Sequence, residues 1–251
     1  MKRNTTFILF CILTLLWLSA CATVKKETGQ LNLKYAFPNE NIPKTNLAIA
    51  IVSPEFTKNE NDQTQNYREN IKGAFNNTFQ ELITRKGFNI KGPYSTFDDM
   101  AYGEKEGAYL AMIPVLKFNL EKTGAEACEN TLCTDKGYIR VVGELRLDFI
   151  EPLTKEKILV KRINLSDLGI QKPYTVQRIK RHQGENAGLA NIIGDITTGK
   201  KELVDDIEKA FYDAINEFYA KSMDKIWVMT STKEVLSYQA QIKKLKGLKR
   251  F

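Results

Sequence analysis

The chain opens with a charged step followed by an apolar run. Lys2 and Arg3 precede FILFCILTLLWL, residues 7–18, which is apolar almost throughout. A helix that crosses a bilayer needs about 20 such residues, so this run is too short to span and suits the apolar region of an export signal. The pattern turns polar over residues 23–30 and then alternates. LNLKYAF (31–37) has apolar residues at every second position, which predicts a strand. LAIAIV (47–52) is continuously apolar and predicts a buried strand, ended by Pro54. After a polar loop at 59–65, Tyr67, Ile71, Ala74, Phe75, Thr78, Phe79 and Leu82 recur at three- and four-residue spacing. That spacing predicts a helix of about 20 residues with Gly87 as its C-terminal cap. FNI (88–90) reads as a short strand, so 47–90 forms a strand-helix-strand unit.

The middle of the chain is strand-like. Residues 97–107 are acidic and irregular, and YLAMIPVLKFNL (109–120) and YIRVVGELRLDFI (138–150) follow. The second alternates at Val142, Leu145, Leu147 and Phe149, and the two pair as a long hairpin. ILVKRINL (158–165) adds a third strand. Residues 172–201 are polar and carry Gly184, Gly188, Gly194 and Gly199, which predicts a long loop. A helix is expected from Glu202 to Trp227, with Leu203, Ile207, Ala210, Phe211, Ala214, Ile215 and Phe218 on its apolar face. A last helix is expected over 232–246, before a basic ending. The fold class is α+β: a mixed, largely antiparallel sheet of five or six strands, with two long amphipathic helices packed on it.

The first segment ends in Leu18-Ser19-Ala20-Cys21. An ordinary export signal ends in a small-x-small cleavage site; a cysteine directly after small residues, with leucine three before it, resembles a lipobox. Such a box implies a diacylglyceryl group on the Cys21 sulfur, cleavage before Cys21, and acylation of the new amine. Two or three acyl chains anchor stably where one binds only marginally. The competing readings are a plain signal peptide and a short anchor helix. Ala22 and Thr23 follow, with no aspartate, which in bacterial lipoproteins implies passage to the outer membrane. The expected organisation is a removed signal at 1–20, a lipidated tether at 21–30 and one α+β domain over 31–251.

The chain has 4 cysteines. Cys11 lies in the removed segment and Cys21 carries the lipid, which leaves Cys128 and Cys133 in ACENTLCTDKG. Export places them in an oxidising compartment, where a disulfide at the hairpin tip is expected. Zinc would need two further ligands that no cluster supplies, and a redox pair normally has two intervening residues, not four. No metal and no cofactor are expected.

Composition changes this picture little. A hydrophobic fraction of 43% and a charged fraction of 27% exclude disordered and polytopic membrane chains. The net charge of +7 favours anionic partners in general, and removal of Lys2 and Arg3 lowers it by two. The single histidine, His182, stands outside any nucleophile motif, so catalysis has no support and the protein is expected not to be an enzyme. Gly194 to Lys201 resembles a phosphate loop, but Lys201 stands where the magnesium-binding hydroxyl belongs and no strand precedes it. Arg178, Lys180 and Arg181, with Lys172 and His182, form a basic patch that could meet an anionic headgroup or a glycan carboxylate, or simply solvate the loop. Lys243, Lys244, Lys246, Lys249 and Arg250 form a second cluster; nucleic acid is excluded as a partner by compartment. Asp98-Asp99 and Glu104-Glu106 are carboxylate pairs of a surface loop.

Several stretches carry a family resemblance. They are LNLKY (31–35), KEGAYLA (105–111), FIEPLTKE (149–156), NLSDLGIQ (164–171), IEKAFYDAINEF and SYQAQIKKLKGLKR, in that order. Together the chain resembles the neuraminyllactose-binding hemagglutinin family of outer-membrane lipoproteins, also called flagellar sheath adhesins. The resemblance implies an outer-membrane or flagellar-sheath lipoprotein of host adhesion, anchored in lipid through Cys21, with a host glycan or an envelope component as partner. The family's proposed sialyllactose motif is a Lys/Arg-rich cluster between the two long strands. Here that region reads EKTGAEACENTLCTDKG, with Lys122 and Lys136 but no Lys-Arg run, so no sialic-acid site is carried over to any residue. The rival reading is a periplasm-facing lipoprotein that assists envelope or flagellar-sheath assembly.

Overall fold

A computed structural model describes residues 24–57, 64–129, 131–180 and 203–248. Cys21, Arg181, His182, the glycine-rich 194–201 stretch, Lys249 and Arg250 lie outside the described residues. The chain divides into two compact units, one built from 31–121, 140–171 and 213–251, the other from 1–30, 122–139 and 172–212.

The larger unit is organised by the apolar runs. Strand β2 (Ala48–Val52) is buried over its last four residues. Helix α1 (Arg68–Arg85) buries Ile71, Phe75, Thr78, Phe79, Leu82 and Ile83, the face its spacing predicts. Its end is closed at Gly87, whose φ of +85° is open to glycine and whose N–H donates to the Thr84 carbonyl. Strand β4 (Asn89–Tyr94) then lies parallel to β2, so the strand-helix-strand unit is a parallel crossover. Residues 97–107 are more regular than expected: a 3-10 turn at Phe97–Asp99 and the short helix α2 (Tyr102–Gly107). Strand β5 starts at Leu110 and pairs parallel with β2. The short strand β3 (Glu55–Phe56) also pairs parallel with β5. Helix α3 (Ile207–Met229) is followed by two short helices, α4 (Thr232–Ser237) and α5 (Gln239–Gly247), in place of one.

The core of this unit is aromatic. Phe75 lies 5.2 Å from Phe79, 6.1 Å from Phe218 and 5.2 Å from Tyr219, ring centroid to centroid. Phe118 of β5 stacks on Phe218 of α3 at 4.5 Å. The Thr78 and Tyr219 hydroxyls hydrogen-bond each other, and Tyr219 also donates to the Ala74 carbonyl, so these two buried hydroxyls are satisfied.

Residues 31–37 are not a strand, although Leu31, Leu33, Tyr35 and Phe37 alternate in burial as the pattern requires. They form a strap along α3. The Asn32 N–H donates to Asn216 Oδ1, the Tyr35 hydroxyl donates to Asp224, and Phe37 packs on Trp227 at 5.4 Å. Helix side chains supply the partners that a sheet edge would have supplied.

In the smaller unit, β5 runs on to Glu129 and β6 (Leu132–Ile150) starts three residues later, so both hairpin strands are longer than predicted. Cys128 and Cys133 sit within the strands beside the turn and form a disulfide, with Cα atoms 4.0 Å apart. Gln171–Ile179, expected as loop, is strand β8. Only Tyr174 is buried, with Val176 and Ile179 half-buried, too weak a pattern to announce a strand; the edge of β6 supplies its backbone partners. Leu203–Asp205, expected inside a helix, is strand β9, and α3 begins at Ile207. The polar stretch after residue 23 enters this unit as β1 (Val24–Lys26), parallel to β9 and pinned by a 2.7 Å Lys26–Glu208 ion pair.

The strand order is β1-β9-β8-β6-β5-β2-β4, with β3 on β5 and β7 (Lys157–Asn164) antiparallel on β6. The class is α+β as expected. The sheet is mixed, as expected, with β2 parallel to β4 and β5 and β3 parallel to β5, but among the described residues it has nine strands, not five or six.

Candidate functional site

Of the predicted basic patch, Arg178 is a strand residue whose guanidinium pairs with Glu126 at 2.5 Å. Lys180 is exposed at the end of β8, and its N–H donates to the Thr131 carbonyl. The structure therefore separates their roles: one cation is engaged in the sheet and the other is at its rim. Beside them, Asp135 accepts from Lys122 at 2.6 Å and from the Tyr174 hydroxyl at 2.9 Å. The Lys122 hydrogen bond holds the Asp135 carboxyl below its usual range, and burial pushes the Tyr174 phenol up. Glu126 also lies near Cys128 and Cys133, but both sulfurs are spent on each other, and a disulfide sulfur is not a thiolate ligand. Closing a six-residue loop stabilises by about 2 kcal/mol in the chain-entropy model. Reduction, or Cys128→Ser with Cys133→Ser, is expected to cost about that much in denaturant titration, and the oxidised protein to show no thiols at either position.

The carboxylate pairs have structural duties. Asp99 accepts from the Thr96 N–H and Glu104 from the Ala101 N–H, each 2.8 Å, so both cap short helical turns. Asp98 makes an exposed pair with Lys155.

Clefts open on the larger unit among the described residues. One, of about 460 Å³, lies where β2 and β5 start, under α5; Tyr109, Ile242, Lys243 and Lys246 line it. Burial pushes the Tyr109 phenol up to about 12, and its hydroxyl donates to the Val235 carbonyl. Lys246 donates to the carbonyls of Glu106 and Ala108, so of the predicted C-terminal cluster it serves as a clamp between α5 and the chain before β5. Lys243 is exposed at the rim.

The second cleft, of about 420 Å³, is lined by Glu40, Lys86, Trp227, Val228, Ser231 and Lys233 among others. Lys86 follows α1 and is only 6% exposed. Its ammonium lies 3.5 Å from the Trp227 ring centroid. Trp227, at the end of α3, donates its indole N–H to Glu40 of the strap at 2.9 Å. Burial lowers the Lys86 pKa and the Glu40 charge partly offsets that. Sequence reasoning missed this group. Its members stand at positions 40, 86, 227 and 233, and none belongs to a motif. The one available signal was a lysine placed between the last helical turn and Gly87, on the side that α1 turns inward.

These elements define an α+β protein with a mixed sheet and solvent-open clefts lined by lysines. The chain belongs to the neuraminyllactose-binding hemagglutinin family: the family described as neuraminyllactose-binding hemagglutinin precursor (NLBH) matches residues 18–249. A relative named neuraminyllactose-binding hemagglutinin from Helicobacter pylori (strain ATCC 700392 / 26695) is 24% identical over 243 residues, covering 92% of this chain and 89% of its own. The protein of that name from strain J99 / ATCC 700824 is 23% identical over the same length. The crystal structure of a neuraminyllactose-binding hemagglutinin homolog from Helicobacter pylori superposes with a TM-score of 0.59 at 17% identity, over 84% of this chain and 99% of that one, and shares the fold.

Proposed function

We propose that this protein is a lipid-anchored outer-membrane protein that works by binding, in host adhesion, and not by catalysis. The observation that carries the reading is family membership across residues 18–249, among relatives named as hemagglutinins. The Leu18-Ser19-Ala20-Cys21 box supports the anchor. Two residues, Ala22 and Thr23, separate Cys21 from Val24, so the two are three residue steps apart. An extended chain covers at most about 11 Å in that distance, so a lipid on Cys21 holds β1 close to the headgroups.

Cys21→Ser is expected to move the protein from the membrane fraction to the soluble one, since the acyl chains supply the anchoring. Detergent-phase partitioning checks this; retention in the detergent phase would point to an uncleaved apolar segment instead. Protease shaving of intact cells, with lysed cells as control, decides between host adhesion and the rival reading of a periplasm-facing assembly lipoprotein. Digestion supports adhesion, and protection with normal digestion after lysis supports the rival. Binding of the Cys21→Ser protein to a glycan array then tests ligand preference, with sialylated glycans the class implied by the family name.

A further inference from the structure

The cleft of about 460 Å³ under α5 gathers positive charge around one glycine. Lys246 lines the cleft and donates to the carbonyls on either side of Gly107, those of Glu106 and Ala108. The Lys91 ammonium reaches the same residue from β4, and it lies 2.6 Å from the point that a Cβ on Gly107 would occupy. Two ammonium groups thus meet at Gly107, which itself lines the cleft. Lys243 adds a third. Gln239, Ile242, Lys243 and Lys246 follow the three- and four-residue spacing of one helix face, and all four line the cleft. Burial lowers the Lys246 pKa; Glu151 and Glu106 oppose that shift, and the Lys91 charge adds to it. Glu151 is committed to its own turn, where one oxygen accepts from the Leu153 and Thr154 N–H groups and the Thr154 hydroxyl. Three lysines against these two carboxylates leave one positive charge in excess.

We propose that this cleft binds an aliphatic monocarboxylate, a fatty acid, with its carboxylate at Lys91 and Lys246 and its chain along the apolar wall. That wall is Leu47, Ala48, Tyr109 and Ile242, and the Tyr109 hydroxyl is already used on the Val235 carbonyl. A methylene laid against such a wall strengthens binding up to about fourfold. Lys246 uses two of its three donors on carbonyls and keeps one for a carboxylate oxygen, in a charge-assisted hydrogen bond. The single excess charge matches a monoanion. A phosphate monoester carries close to two charges at neutral pH, and the second would meet Glu106 and Glu151 uncompensated. Two struts keep α5 off the strand ends: the Lys246 clamp, and the Tyr109–Val235 hydrogen bond to α4, which leads into α5. The cleft is therefore built in advance, at a volume usual for small-molecule sites. The site requires neither the Cys21 anchor nor host adhesion.

Equilibrium dialysis of the full chain against radiolabelled octanoate tests this, with the same neutral detergent on both sides so that uptake by micelles cancels. The expected result is saturable binding of one octanoate per chain, with a dissociation constant below about 1 mM. Unlabelled competitors then separate tail from head. Hexanoate, two methylenes shorter, should compete about tenfold more weakly. Octanol, with the same chain and no charge, should compete at least about tenfold more weakly, and octyl phosphate should also fall behind octanoate. Lys91→Met removes one ammonium and leaves the Lys246 clamp; it should weaken octanoate about tenfold while far-UV circular dichroism is unchanged. Lys243→Met should weaken it severalfold. Lys244→Met takes the same charge from α5 outside the cleft and should leave the affinity unchanged. The proposal is overturned by no saturable uptake, by hexanoate, octanol or octyl phosphate competing as well as octanoate, or by Lys91→Met binding as its parent does. It is also overturned if Lys244→Met weakens octanoate as much as Lys91→Met, since net charge alone would then explain the effect. A folding defect in Lys91→Met is bypassed by Lys243→Met on the exposed rim, where an unchanged affinity overturns the proposal as well. Dialysis and the glycan array fail separately: octanoate binding without glycan binding counts against the adhesin reading and leaves this site standing.

Discussion

Phe75→Ala is expected to lower stability by about 3–5 kcal/mol, the range for a large aromatic removed from a core. Phe75 is fully buried and touches Phe79 on its own helix and both Phe218 and Tyr219 on α3. Its ring is therefore shared between the two long helices. Truncation removes the transfer free energy and leaves a void that rigid helices cannot close. For a chain of this size each kcal/mol moves the melting temperature by about 2–4 °C, so a fall of roughly 10 °C follows. Thermal and denaturant unfolding check this. A loss below about 1 kcal/mol would mean that Phe118 and Phe218 repack into the space. Phe218→Ala should give a comparable loss, and the double substitution less than the sum, because the two share one cavity.

Gly137→Ala is expected to cost about 3 kcal/mol and to act locally. A Cβ there would fall well inside contact with the Thr123 carbonyl oxygen and 2.6 Å from the Gly124 Cα. These are backbone atoms of the facing strand and cannot rotate away, so the hairpin has to part. The Gly124 side is equally closed, since its Cβ would meet the Tyr174 hydroxyl. The two glycines thus let the strands approach and seat the Tyr174 ring, 2% exposed, in reach of Asp135. Hydrogen exchange should show protection lost over 122–139 and 172–179 and retained in α1. Loss spread evenly over the chain would contradict a local effect. Gly73→Ala is the natural control. It sits exposed in α1 with nothing within 4 Å of the added atom, so it should stabilise by about 0.5–1 kcal/mol.

The elements legible in the sequence share a property: their signal is internal to the segment. The three- and four-residue spacing from Ile71 to Leu82 describes one face of α1 whatever lies opposite it, and the apolar run 48–52 describes β2. The Cys128–Cys133 pairing was legible because these two cysteines stand only five residues apart, while Cys11 and Cys21 both fall in the N-terminal segment read as an export signal and lipid box. Residues 31–37 show where this stops. Their alternation reports which side chains are covered, and that was right, but it does not report what the backbone bonds to. The partner turned out to be Asn216, 184 residues away. The reverse held for β8, where the apolar pattern was thin and the β6 edge made the strand.

The candidate site was the least legible part for the same reason. Arg178 was read as part of a basic patch because Glu126 is 52 residues distant, and Lys86 carried no signal because Trp227 is farther still. The sequence by itself determined the disulfide, the two amphipathic helices, the α+β class and the family. Only the tertiary structure decided the number and direction of the strands, the strap, and which lysines are spent in ion pairs and which face an open cleft. Local periodicity is written in each segment, whereas hydrogen-bond partners and charge pairing depend on residues that meet only when the chain is folded.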